Sequence, residues 1–141
     1  MDIKTTVTTM KTLLEKESLT CIIADNGKII FKSDKRGVAP LMNFLKIGQI
    51  SEKLYLVDKV IGKAAALLCI KAGFIYVCTD VISTPAKNIL KTSSIDFDYI
   101  KEVPVIQNRT KTGLCPMENL SKGINDPESM YKKILVWIDS K

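Results

Sequence analysis

The chain contains no histidine and only two arginines, Arg36 and Arg109. Without an imidazole there is no Ser-His-Asp or Cys-His relay and no zinc site with a histidine ligand. Nor is there a side chain whose unperturbed charge changes near neutral pH. The four cysteines, Cys21, Cys69, Cys78 and Cys115, include no Cys-x-x-Cys pair, which argues against a four-cysteine zinc site as well. Three of them, Cys21, Cys69 and Cys78, lie in apolar runs and read as small hydrophobes; only Cys115 has a polar, turn-like setting. The scarcity of arginine, with no arginine-aromatic cluster, disfavours a nucleic-acid recognition module despite the net charge of +6. Glycine-rich phosphate loops of either common spacing are missing, so kinase-like and dinucleotide-binding readings are disfavoured and no cofactor is expected. The longest apolar run, Ala64 to Ile70, falls far short of the roughly 18 residues of a membrane span. Met1–Met10 is too polar for a signal peptide, and a cytoplasmic location is the expectation.

What is present is the composition of an ordinary globular domain. With 141 residues, 46% of them apolar and 26% charged, the chain can bury one core without a disulfide or metal staple, so residues 1–141 are expected to form a single domain.

The stretch Gly62-Lys63-Ala64-Ala65-Ala66-Leu67-Leu68-Cys69-Ile70 predicts a central helix, because it is apolar on nearly every face and lies between the apolar runs Leu54–Val57 and Phe74–Cys78. Strand, tight turn, helix, Gly73 and strand make a β-α-β unit with a parallel pair. Before it, Ile3, Val7, Met10, Leu13 and Leu14 mark an amphipathic helix that ends near Glu17. Leu19–Asp25 and Lys28–Lys32 read as a hairpin turned by Asn26-Gly27, and Val38, Leu41, Met42 and Leu45 mark a short helix with Pro40 in its first turn. After the unit, Thr79–Pro85 supplies a helix start with Ser83 or Thr84 as cap. Ile95–Val103 is a further strand, with a continuation through Val105-Ile106 open, and Gln107–Gly113 is a polar loop long enough to hold a ligand. Cys115 sits in the cap slot of a short helix, and Asp126 opens a last helix whose stripe is Met130, Ile134, Trp137 and Ile138.

The candidate site residues follow from helix starts after strands, where unpaired N–H groups and the helix dipole attract anions. Lys63 is the anomaly, a cation in a first turn where the dipole disfavours it unless an anion is near; Glu118, Asp58, Asp80 or a ligand are the candidates. Ser83, Thr84, Asn108 and Arg109 complete a ligand-binding set around it. A thiol at a helix start can act as a nucleophile, which makes Cys115 a candidate, with Glu118 or Asp58 as proton acceptor. Glu118 can equally be a capping-box carboxylate.

The combination of Asp58-Lys59-Val60-Ile61-Gly62-Lys63-Ala64-Ala65-Ala66, Asn108-Arg109 and Cys115-Pro116-Met117-Glu118 resembles an uncharacterised prokaryotic family assigned to the cytidine-deaminase-like fold. The likeness covers nearly the whole chain and implies a three-layer α/β/α sandwich with a mixed sheet and an N-terminal hairpin. Zinc deaminases open their central helix with His-x-Glu and the next with Pro-Cys-x-x-Cys. Here Lys63 stands at the histidine position and Ala65 at the glutamate position, and Thr79–Pro85, the counterpart of the second motif, has no cysteine. The resemblance thus implies a deaminase-like domain without zinc that binds a small anionic or nucleotide-like molecule. A metal-independent enzyme using Cys115 and a structural or protein-interaction domain, including a homo-oligomer, are the alternatives.

Overall fold

Helices start at the polar caps Asp2, Ser83 and Asp126, each accepting a first-turn N–H. The structure, a computed structural model, describes residues 2–48, 51–108 and 113–140. Helix α1 (Ile3–Lys16) is capped by Asp2, whose carboxylate accepts the Thr5 N–H at 2.8 Å. Strands β1 (Cys21–Asp25) and β2 (Lys28–Ser33) are joined by Asn26 and Gly27, with φ of 51° and 87°, the paired positive values that a type I′ turn requires. Helix α2 (Ala39–Ile47) carries Pro40 in its first turn and closes on a left-handed Gly48.

Two βα units follow: β3 (Leu54–Ile61) and α3 (Lys63–Ala72), then β4 (Tyr76–Ser83) and α4 (Thr84–Thr92), leading into β5 (Asp96–Val103). The short α5 (Pro116–Leu120) and the longer α6 (Pro127–Asp139) complete the chain. The sheet order is β2-β1-β3-β4-β5, with β1 antiparallel to both neighbours and β3, β4 and β5 parallel. Both crossovers step the same way along the sheet, so the right-handed rule sends α3 and α4 to one face. That face holds the larger core, in which Leu41, Leu67, Leu90, Met117 and Ile134 bring α2, α3, α4, α5 and α6 together over Ile23, Leu56 and Val77. The other face is covered by α1, which lays Val7, Met10 and Leu14 on Ile22, Tyr55 and Val57.

Helix α3 is central because its small side chains let it sink between its neighbours; every residue from Ala64 to Cys69 is buried. It ends in a Schellman closure, with the Gly73 N–H reaching the Ile70 carbonyl and the Phe74 N–H reaching that of Cys69. Among the described residues no helix is long and apolar enough to cross a membrane.

Two expectations, the ends of the third and fourth strands and the stripe of the last helix, are corrected, and one open boundary is closed. Strand β3 runs past Val57 to Ile61 and β4 runs past Cys78 to Ser83, so Asp58 and Thr79 lie inside strands. The reason is an irregular step shared by both strands. Leu56 and Ile61, like Val77 and Ile82, are an odd number of residues apart yet enter the same core, which strict alternation forbids. At the step Asp58 Oδ1 accepts the Val60 N–H at 3.4 Å, and in the register-paired strand Thr79 Oγ1 donates to the Val81 carbonyl at 3.1 Å. Strand β5 ends at Val103 and does not continue through Val105-Ile106. On α6 the buried stripe is Met130 and Ile134, with Trp137 half-buried and Ile138 exposed.

Candidate functional site

Strands β3 and β4 hand over to helices with almost no loop, so the starts of α3 and α4 crowd the carboxyl ends of the parallel strands. In open α/β sheets this is where ligands bind. Ser83, fully buried, caps α4 by accepting the Ala86 N–H at 3.2 Å. Helix α3 has no such cap: Gly62 occupies the position without a side chain to bond the first-turn N–H groups.

The segment after β5 doubles back over these starts. Gln107 pairs with Leu114, the Asn108 N–H donates to the Gly113 carbonyl and the Cys115 N–H donates to that of Ile106, each of the last two at 2.9 Å. This return seats α5 on the beginning of α3. Glu118 is brought in with only 9% of its surface exposed, and Oε1 lies so close to Gly62 that a Cβ there would stand 2.8 Å from it and 3.0 Å from Ile106 Cγ1. Gly62 has an ordinary extended backbone, so its lack of a side chain is used for approach rather than for conformation. Gly62→Ala should therefore cost roughly 1–3 kcal/mol through overpacking. Urea unfolding reads this as a lowered midpoint, and an unchanged midpoint would mean that the Glu118 carboxylate moves aside freely.

Between α3, α4 and the returning segment lies a cleft of about 500 Å³. Pro85, Ile89, Val105 and Leu114 supply apolar wall, and Lys63, Glu118, Lys122, Asn88 and Asn125 supply polar groups. Lys63 Nζ donates to the Ser121 carbonyl at 2.9 Å. Ser121 is the C-cap of α5, so the ammonium that sits badly at the start of one helix is satisfied by the carbonyl end of another. None of Glu118, Asp58 and Asp80 forms an ion pair with Lys63: the ion pairs among the described residues are Lys32–Glu17, Lys71–Glu128 and Lys87–Glu102. The Glu118 carboxylate, for its part, has no hydrogen-bond or ion-pair partner among them.

The other expected site residues are dispersed. Asp58 is buried in the core beneath α3, near Cys21 and Cys69, and does not line the cleft. Burial pushes its carboxyl up to about 7, a rise that the Val60 and Lys59 N–H groups partly offset and the nearby charge of Asp80 reinforces. Its charge and, above all, burial hold the Cys21 and Cys69 thiols well above their usual range, which makes them inert packing groups. Asp80 is half-buried on β4, away from the cleft lining. Thr84 turns toward β5 and donates to Glu102 Oε2 at 2.7 Å. Asn108 belongs to the return, and Arg109 lies outside the described residues. Cys115 occupies the predicted cap position of α5 but is half-buried against the main core and does not line the cleft that Glu118 enters. Among the described residues no three His, Cys, Asp or Glu side chains converge as a metal site requires.

Sequence reading passed over Ser121, Lys122 and Asn125. Their signal was the polar turn around Gly123, φ 76°, between two short helical patterns, which reads as an ordinary connection until α5 is placed on α3.

Fold and cleft together define an α/β protein built on a five-stranded mixed sheet with an N-terminal hairpin and a ligand-sized cleft at its parallel strand ends. The chain belongs to the TM1506 family, a domain of unknown function (DUF1893), whose profile matches residues 9–136. It is similar to the crystal structure of a DUF1893 family protein, TM1506, from Thermotoga maritima, with a TM-score of 0.86 and 25% sequence identity over 96% of this chain and 92% of that one. None of the curated proteins matches it.

Proposed function

We propose that this chain is a metal-independent binding domain of cytidine-deaminase-like fold whose cleft takes a small anionic or nucleotide-like molecule. The observation that carries the reading is the pairing of Lys63 and Lys122 on one cleft with the uncapped start of α3. Two ammonium groups are the equipment for a phosphate or carboxylate, while the Glu118 carboxylate lies against Gly62 at the uncapped start itself. The apolar wall of Pro85, Ile89, Val105 and Leu114 suits the faces of a ring.

The deaminase-like likeness rests on the sheet order, with an antiparallel hairpin beside three parallel strands and the central helix opening directly after the third strand of the chain. At that opening zinc deaminases place a histidine ligand and a proton-moving glutamate. Lys63 and Ala65 at these positions keep a positive charge in the cleft but supply neither a ligand nor a proton carrier. A thiol enzyme would need Cys115 to open into the cleft, which its place against the core does not favour.

Lys63→Met tests the reading. The free variant loses the charge-assisted hydrogen bond to the Ser121 carbonyl, at a cost of about 1.5–3 kcal/mol. Nucleoside monophosphates at millimolar concentration are expected to raise the melting temperature of the parent by mass action and to leave that of the variant unmoved. A parent whose melting temperature responds to no phosphate-bearing or carboxylate compound would sink the proposal.

A further inference from the structure

We infer that Glu118 reads a pair of adjacent N–H donors on the bound molecule, and that the cleft therefore selects a guanine-type amide–amine edge carried on a phosphorylated compound. This rests on the reading of the cleft as a nucleotide-like anion site and adds to it the chemistry of the ligand's other end.

Glu118 as a residue is nine-tenths buried and lines the cleft, and its carboxylate has no partner among the described residues. No Glu118 oxygen is both buried and left without a partner, so the carboxylate opens to the cleft, and the missing side chain at Gly62 leaves room for Oε1 there. An ionised carboxylate accepts only, with two oxygens side by side, so its best complement is two parallel N–H donors. A guanine edge offers that pair, the ring N–H and the exocyclic amine. An adenine edge offers one donor beside a ring-nitrogen lone pair, which faces a carboxylate oxygen unfavourably. Lys63 and Lys122 take the anionic end, and Pro85 and Ile89 flank the ring.

The test is calorimetric titration of the full chain with GMP and with AMP, on the parent, Lys63→Met, Glu118→Gln and Glu118→Asp. The parent is expected to bind GMP at least about tenfold more tightly than AMP, since a site built for a donor rejects the analogue lacking it. Glu118→Gln, which offers one acceptor and one donor, and Glu118→Asp, which withdraws the carboxylate by one methylene, should both lose that preference while still binding the two nucleotides. The free Glu118→Gln protein should melt close to the parent, because the carboxylate gives up no hydrogen bond or ion pair with a described residue. Equal binding of GMP and AMP by the parent, abolished for both in Lys63→Met, would overturn the inference and leave the anion site standing. Binding of neither nucleotide would overturn both. A Glu118→Gln protein that melts lower with its GMP preference intact would make Glu118 a structural partner of the α3 start and overturn the inference. If Glu118→Gln does not fold, the parent's ratio and Glu118→Asp still decide.

Discussion

Acidifying the protein from about pH 8 to about pH 5 should stabilise it, against the usual behaviour of a carboxylate-rich surface, and Asp58→Asn should remove most of the effect. Asp58 is 6% exposed on β3, beneath α3. Its carboxyl is raised from 3.8 to about 7, chiefly by burial. A raised carboxyl binds its proton more tightly in the folded than in the unfolded chain. Its contribution to stability is thus fully present below the unfolded value, declines as pH rises toward about 7, and is lost above that. The slope is about 1.4 kcal/mol per pH unit, and the roughly two units between about pH 7 and about pH 5 give an upper figure of about 3 kcal/mol. The exposed Asp2, Glu102 and Asp126 are lowered by their hydrogen bonds, so their contributions run the other way, lost as pH falls through their folded values below 3.8 or 4.5. Between about pH 8 and about pH 5 only the Asp58 window is crossed, since that of Glu102 opens below 4.5, and the chain has no histidine to add another. Asp58→Asn keeps the acceptor toward the Val60 N–H and does not titrate, so any fixed cost of the amide is the same at every pH. Urea midpoints at several pH values should show the variant gaining on the parent as pH rises. Parallel curves for the two proteins would show that Asp58 is ionised, or solvated, in the folded state.

The same residue marks the limit of what the sequence discloses. Periodicity and cap signals located the helices near their observed places: Cys115 and Asp126 open α5 and α6 as read, and Ser83 takes the cap left open between it and Thr84, because capping is local chemistry. The hairpin followed from Asn26-Gly27 for the same reason. Strands β3 and β4 looked short because the step after Asp58 and Thr79 breaks alternation, and two consecutive outward residues such as Lys59 and Val60 imitate a strand end. Asp58 then looked like a charged terminus at a ligand site, whereas register pairing with Thr79 carries it into the core. Lys63 was identifiable from its conflict with the helix dipole, but its partner was not: the Ser121 carbonyl is 58 residues away and belongs to the backbone, which composition cannot single out. Cys115 and Glu118 are neighbours on one short helix, and only the helix's placement sends the carboxylate to the cleft and the sulfur toward the core.

Ala65→Glu should destabilise the protein by roughly 2–4 kcal/mol, the net of two opposed effects. Position 65 is the third residue of α3, and on an exposed helix a glutamate there would gain up to about 1 kcal/mol from the positive end of the dipole and the uncapped N–H groups. But Ala65 is 6% exposed and belongs to the main core, where α3 packs against α2, α4, α5 and α6. An unpaired charge placed there costs about 3–5 kcal/mol, so burial outweighs the dipole. Ala65→Gln separates charge from bulk, since both side chains overpack the site equally and only one ionises. The expected order of stability at neutral pH is parent, glutamine, glutamate, with the last two converging as acid protonates the carboxyl. If the glutamate variant unfolds at the parent's urea midpoint, the third residue of α3 faces the open cleft, and the carboxylate is being held there by water or by Lys122 rather than by the core.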